Sequence, residues 1–140
     1  MPTPAELKKA LQAAGLEIYR TRGDVVHLAE RVRENLLMDA GIFVDAARVR
    51  VGFLVRAQRT DFPSESDDRL FERARGLAAP AVDRGYGEVE AMIRKVRDPG
   101  NEERIIDTWC EVLFEKPVSG LDAAVDEVRF ALSIEKAAAR

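Results

Sequence analysis

One histidine, His27, and one cysteine, Cys110, are the side chains of this sequence most often used as nucleophiles or metal ligands. A single residue of each type cannot assemble the Cys and His sets of zinc sites or a two-histidine metal site. Cys110 falls on the apolar side of an alternating strand pattern, which predicts a buried, unreactive thiol. His27 lies opposite the apolar positions around it and is predicted to face solvent. We therefore expect no catalytic residue, metal site or cofactor site.

Carboxylates are numerous, and five of them share the outward side of the last two predicted strands: Glu88, Glu90, Asp107, Glu111 and Glu115. Regular alternation along a strand is typical of a solvated face with cross-strand arginine partners, rather than of a paired acid and base. A small enzyme in which the fold brings carboxylates such as Glu88 and Glu111 together remains an alternative. The sequence has no Gly-x-Gly-x-x-Gly, P-loop or Gly-x-Ser-x-Gly motif that would name a reaction.

Arginines are concentrated on and beside the predicted central strand: Arg48, Arg50, Arg56 and Arg59. Such a cluster predicts a local anion patch, so binding of nucleic acid or another anionic ligand is a second alternative. The whole chain has 22 basic and 25 acidic residues and a net charge of −3. This balance gives no general attraction to polyanions or membranes, and we expect neither as a partner.

Two predicted outward surfaces combine large apolar residues with charges, which is typical of protein interfaces. The first lies on the sheet and contains Leu54, Met92, Trp109 and Leu113. The second is the back of the last predicted helix, where Phe130 and Ile134 fall opposite the core stripe. We expect these six residues to form a partner or dimer interface. Alternatively, the first is a layer of cross-strand ion pairs, and the second is covered within the fold.

The elements that position these side chains are centred on residues 47–60, a run with strict period-2 alternation. Its apolar positions are Val49, Val51, Phe53, Val55 and Ala57. The alternation predicts a half-buried central strand. A capping box at Thr3 and Glu6 begins a helix that Gly15 ends, and a short strand follows. Residues 24–41 fit either a helix capped by Asp24 or a strand continuing into a helix; we expect the helix, because strong helix formers predominate.

The second half of the chain alternates helix, hairpin and helix. Pro80 should kink or end the helix over residues 65–82 near Ala79. A turn at residues 98–101 joins two strands, and a last helix covers residues 119–138. The predicted core is Val49, Val51, Phe53, Val55, Leu70, Leu77, Ile93, Val112, Phe114, Val125 and Val128.

These patterns predict an α+β fold: one mainly antiparallel sheet of four or five strands with helices packed on one face. A length of 140 residues fits a single domain, residues 1–140. No apolar run reaches the roughly 20 residues of a membrane helix. The start of the sequence lacks the pattern of a secretory signal, and one cysteine agrees with a reducing compartment, so we expect a soluble, cytoplasmic protein.

With residues 16–30 taken as a hairpin, the order becomes helix, three strands, helix, two strands, helix. This order resembles the type III secretion chaperone-like fold shared with YbjN-type proteins. The similarity is carried by residues 48–63, the turn at Asp98-Pro99-Gly100 and the helix start at Pro117-Val118-Ser119-Gly120-Leu121. Residues 31–46 depart from it as an insertion expected to form its own helix. The resemblance implies a small acidic homodimer that holds an extended segment of another protein without catalysis.

The function that these observations favour is a non-enzymatic, protein-binding or chaperone-like module. We expect a homodimer that holds a partner segment, with no cofactor. The anion-binding and carboxylate-enzyme alternatives stay open at this point.

Overall fold

Residues 2–139, which the computed structural model describes, form four helices and six strands. In chain order these are α1 (Pro4–Ala13), β1 (Ile18–Arg22), β2 (Val25–Arg33), β3 (Leu36–Asp45), β4 (Arg50–Gln58), α2 (Asp67–Leu77), α3 (Ala79–Asp83), β5 (Gly87–Asp98), β6 (Asn101–Pro117) and α4 (Leu121–Ser133). The strands of this part of the chain form one antiparallel sheet in the order β1-β2-β3-β4-β6-β5. The α+β class is confirmed, with six strands rather than four or five.

The additional strand comes from residues 24–45, where the predicted helix is wrong. β2 and β3 pair as an antiparallel hairpin, with Val26 opposite Val44 and Glu30 opposite Met38. Buried and half-buried positions alternate through the first part of β2, so Val26 and Leu28 enter the core. Pairing with β1 on one side and β3 on the other outweighs the weak helix preference of the segment. The helix expected within residues 31–46 is likewise strand β3.

The local signals of the first helix are confirmed. The Thr3 hydroxyl accepts a hydrogen bond from the Glu6 backbone N–H at 3.1 Å, and the Glu6 carboxylate accepts one from the Thr3 N–H at 3.2 Å. Gly15 follows the helix with φ of 83°, a conformation that glycine adopts without a side-chain clash. Pro80 also behaves as predicted, because α2 ends at Leu77 and Pro80 opens the short helix α3.

The central strand is confirmed as β4, and Val51, Phe53, Val55 and Ala57 are fully buried along one side of it. Val49 is an exception. It precedes the strand in a turn with φ of 53° and is only half-buried.

The opposite side of β4 is closed at Gly52 by an aromatic ring from β3. Phe43 lies directly opposite Gly52 in the register of the two strands. A Cβ atom at position 52 would lie 2.3 Å from the Phe43 ring, so only glycine leaves room for it.

Two compact units make up the chain. The first comprises the residues up to Phe53 together with Glu115–Ser133. In it α1 packs against α4 and against β1 and β2, while α4 also contacts β3. Leu7, Leu11 and Val128 are among its buried residues.

The second unit comprises Leu54–Phe114 and the residues from Ile134 onward. Its core cluster consists of Ala57, Phe62, Leu70, Cys110 and Ala138. The C-terminal segment runs parallel to β4 as a single bridge: the Arg56 N–H donates to the Lys136 carbonyl at 2.8 Å, and the Ala138 N–H donates to the Arg56 carbonyl at 2.9 Å.

Most of the predicted core is buried: Val51, Phe53, Val55, Leu70, Val112, Phe114 and Val128. Leu77 and Val125 are half-buried, like Val49. Ile93 is wrong as a core residue, since its side chain is exposed on β5, the last strand of the sheet. In the described part of the chain, no helix is long and apolar enough to span a membrane.

Candidate partner-binding surface

A hydrogen-bonded cluster around Trp109 occupies the predicted outward side of the second unit. Residues 107 and 109 point to the same side of β6, and the indole N–H of Trp109 donates to Asp107 Oδ2 at 2.9 Å. Thr60 donates to the same carboxylate from its backbone N–H at 3.1 Å and from its hydroxyl at 3.0 Å. The Arg56 guanidinium lies 4.4 Å from the centre of the indole ring, in cation–π contact. Trp109 is therefore held rigidly between an arginine and a carboxylate.

Two glutamates predicted to be solvated are in fact buried. Glu111 is 3% exposed and pairs with Arg94 of β5 at 2.7 Å. Glu115, in the first unit, is 4% exposed and accepts hydrogen bonds from the Arg48 guanidinium at 3.0 and 3.3 Å. Long arginine side chains, from β5 for Glu111 and from the turn between β3 and β4 for Glu115, lie over the carboxylates, neutralise their charge and exclude water from them.

Intramolecular partners account for all four arginines of the predicted anion patch. Arg48 and Arg50 lie 3.0 and 4.0 Å from the Glu115 carboxylate. Arg56 stacks on Trp109, and Arg59 binds the Asp67 carboxylate and the Glu65 carbonyl. These contacts reduce the positive charge available to an external anion.

The proposed carboxylate pair, Glu88 and Glu111, is divided between two arginines. Glu88 accepts two hydrogen bonds from Arg75, at 2.7 and 3.1 Å, and these hydrogen bonds lower the pKa of its carboxyl group. Glu111 pairs with Arg94 instead.

Burial raises the pKa of the Cys110 thiol, which is buried as predicted. His27 is half-buried beside Phe43 rather than solvent-facing, and burial lowers its pKa. Among residues 2–139, no group of three or more His, Cys, Asp or Glu side chains is placed to hold a metal ion.

The six predicted interface residues differ in their positions but share partial burial: Leu54, Met92, Trp109, Leu113, Phe130 and Ile134 are all half-buried. Of the two residues predicted to lie on the back of the last helix, only Phe130 is helical, because α4 ends at Ser133 and Ile134 follows it.

A surface depression of about 620 Å³ lies in the first unit between α1 and α4. Its lining includes Ala10, Ala13 and Ala14 from the α1 side, and Asp122 and Asp126 from α4. Arg129, also at this depression, donates to the Ala14 carbonyl at 3.0 Å and so ties the two helices together. The depression therefore follows from the small side chains of α1.

Among residues 2–139, the β5–β6 hairpin has the most exposed large aliphatic side chains, four in number, and none of the four was among the interface residues expected from the sequence. Val89 and Ile93 of β5 are 53% and 51% exposed, and Ile105 and Ile106 of β6 are 45% and 44% exposed. Of these four residues, Ile93 was predicted to lie in the core. The two strands have 12 and 17 residues, and the first six residues of β6 are all exposed, so this end of the hairpin is uncovered on both faces.

A second exposed apolar region lies at the end of the β2–β3 hairpin, where Val32, Leu37 and Met38 are exposed. The position of the strands in the sheet distinguishes the two hairpins. β2 lies between β1 and β3, whereas β5 is a terminal strand with a neighbour on one side only in the described sheet. A terminal strand presents unpaired N–H and C=O groups along its free edge. β1, at the other edge, has five residues. The β5 edge is thus the longer template for another strand.

Comparison with known protein families, with curated protein sequences and with solved structures finds no significant match to this chain.

Proposed function

We propose that this protein is a non-enzymatic, protein-binding module that holds an extended segment of another polypeptide along the edge of its sheet. The observation that carries the proposal is the β5–β6 hairpin, with four large aliphatic side chains exposed beside a free strand edge. Addition of a strand to such an edge supplies backbone hydrogen bonds, and side chains at alternate positions supply selectivity. The activity is chaperone-like, because the segment is held and not chemically changed.

The length and composition of β5 support this mode of binding. The strand has 12 residues, and its sequence Gly-Glu-Val-Glu-Ala-Met-Ile-Arg-Lys-Val-Arg-Asp contains no proline that would remove a backbone donor. On one side Val89, Ala91 and Ile93 form an exposed apolar row. Exposed apolar patches beside charged residues mark interaction sites.

Selection from a library of displayed random decapeptides tests the proposal. We expect the wild type to enrich peptides with alternating β-branched residues that bind with micromolar dissociation constants. A Val89→Lys, Ile93→Lys variant should bind them at least about tenfold more weakly, which corresponds to roughly 1.4 kcal/mol. Val32→Lys, Met38→Lys on the other hairpin is the matched control and should retain binding. Peptides that bind all three proteins equally, or no enrichment by a wild type that light scattering shows to be monomeric, would refute the proposal.

A further inference from the structure

The free edge of β5 has a charge pattern that complements itself when reversed. Its first half carries Glu88 and Glu90, and its second half carries Arg94, Lys95 and Arg97 before ending at Asp98. Two such strands side by side and antiparallel place the acidic half of each against the basic half of the other. Opposite charges facing each other across strands stabilise a pair, and like charges destabilise it.

We propose that the segment held at this edge is β5 of a second copy of the chain, paired antiparallel about a two-fold axis at Ala91. This inference rests on the proposed function and names the partner of the same site. The two sheets then join into one through their terminal strands. Two-fold homodimers are the commonest assemblies of soluble proteins, and their interfaces pair one surface with itself.

The register follows from the side-chain alternation of the strand. A two-fold axis perpendicular to the sheet keeps every side chain on its own face, so residues of the same parity face each other. With the axis at Ala91, Val89 faces Ile93 of the second copy. On the other face Glu88 meets Arg94 of the second copy. The dimer then has one apolar row formed by Val89, Ala91 and Ile93 of both copies.

Neighbouring registers are worse matched. An axis at Glu90 places two glutamates against each other. An axis at Met92 opposes Val89 to Lys95, and an axis at Ile93 opposes Glu88 to Asp98. An axis at Met92 also pairs Glu90 with Arg94, but only the Ala91 register, among these four, faces Val89 with Ile93 as well as opposite charges.

The charged residues of the proposed interface are accessible. Glu88 is 37% exposed although it accepts hydrogen bonds from Arg75, and Arg94 is 53% exposed although it pairs with Glu111. A carboxylate has two oxygens and about four acceptor positions, so Glu88 can bind a second arginine without releasing the first.

Complementary charge variants test the interface and its register together. The positive variant carries Val89→Lys and Ile93→Lys, and the negative variant carries Val89→Glu and Ile93→Glu. Both positions are about half exposed in one copy, so the variants are expected to fold. Light scattering at high micromolar concentration should show a dimer for the wild type. Each variant alone should raise the dimer dissociation constant by roughly tenfold or more, because like charges then face each other.

Mixing the two variants should restore association as a heterodimer, since the introduced lysines face the introduced glutamates. The Val32→Lys, Met38→Lys control should remain a dimer. A monomeric wild type, an unchanged dimer in both variants, or a mixture that does not associate would each overturn the inference. A monomeric wild type that still selects peptides at β5 refutes the second copy as partner and leaves the proposed function standing; loss of both refutes both.

Discussion

Asp107 accepts four hydrogen bonds, from the Thr60 backbone and hydroxyl, the Thr108 backbone and the Trp109 indole. Partial burial raises the pKa of its carboxyl group, whereas the hydrogen bonds from Trp109, Thr60 and Thr108 lower it, and the hydrogen bonds prevail. This carboxylate connects the end of β4 to β6 within the second unit. Trp109 is the only tryptophan of the chain, so its fluorescence reports on this site.

The Asp107→Asn substitution should lower the free energy of unfolding by about 1 to 3 kcal/mol at neutral pH, because an amide cannot accept all four hydrogen bonds. A carboxyl group whose folded pKa is depressed stabilises the fold above its unfolded pKa, about 3.9. That contribution is lost as the pH falls through the folded pKa. The difference between wild type and variant should therefore shrink below about pH 4.

Urea unfolding followed by Trp109 fluorescence at neutral and acid pH measures this difference. Glu30→Gln, on an exposed position of β2, is the control and should change stability by less than about 0.5 kcal/mol at either pH. An Asp107→Asn effect that stays constant with pH would contradict the assigned role of the charge.

The strands differ in how completely they are covered, and this difference separates structural from binding positions. Phe53 of β4 is fully buried and Phe114 of β6 is 3% exposed, whereas Ile93 of β5 is 51% exposed. All three follow the same alternating apolar pattern in sequence. Their burial depends on the elements that pack over each strand.

Phe53→Ala and Phe114→Ala should each lower the free energy of unfolding by about 3 to 5 kcal/mol, because each leaves a cavity in a packed core. Ile93→Ala should cost less than about 1 kcal/mol, since its side chain loses little burial on truncation. Chemical denaturation of the wild type and of the three variants measures these differences in the free energy of unfolding. A large effect at Ile93 in the monomer, or a small effect at both phenylalanines, would show that the assigned burial is wrong.

The whole molecule has three surfaces proposed for association: the sheet face around Trp109 and the back of α4 with Phe130, both indicated by the sequence, and the β5 edge, indicated by the structure. The β5 edge has the larger exposed aliphatic surface and a free backbone, while Phe130 is half-buried. Strand pairing also adds backbone hydrogen bonds, which a single aromatic contact does not.

Phe130→Glu should leave the association state of the wild type unchanged in light scattering at high micromolar concentration. The same substitution should lower the free energy of unfolding by about 1 to 3 kcal/mol, because it places a charge at a half-buried position. Measurements must therefore be made well below the melting temperature. Phe130→Leu, which keeps the position apolar, is the control. A monomeric Phe130→Glu protein beside a dimeric Phe130→Leu protein would assign the interface to α4.

Local chemistry in the sequence determined the elements whose signals lie within a few residues. The capping box of α1, the break at Pro80, the alternation of β4 and the turn between β5 and β6 were all predicted and are confirmed. Each depends on backbone hydrogen bonds or dihedral preferences of neighbouring residues. Side-chain parity also placed Arg56 and Trp109 on one side of the sheet, where they stack.

The tertiary structure alone decided which faces are covered. Residues 24–45 became two strands because partners on both sides of β2 satisfy its backbone. Glu111 and Glu115 are buried because arginines distant in sequence, Arg94 on β5 and Arg48 in the turn before β4, lie over them. Ile93 and Ile106 are exposed because Ile93 lies on the terminal strand β5 and Ile106 lies in the uncovered first six residues of β6. An alternating pattern specifies two faces of a strand, but its coverage depends on elements distant in sequence.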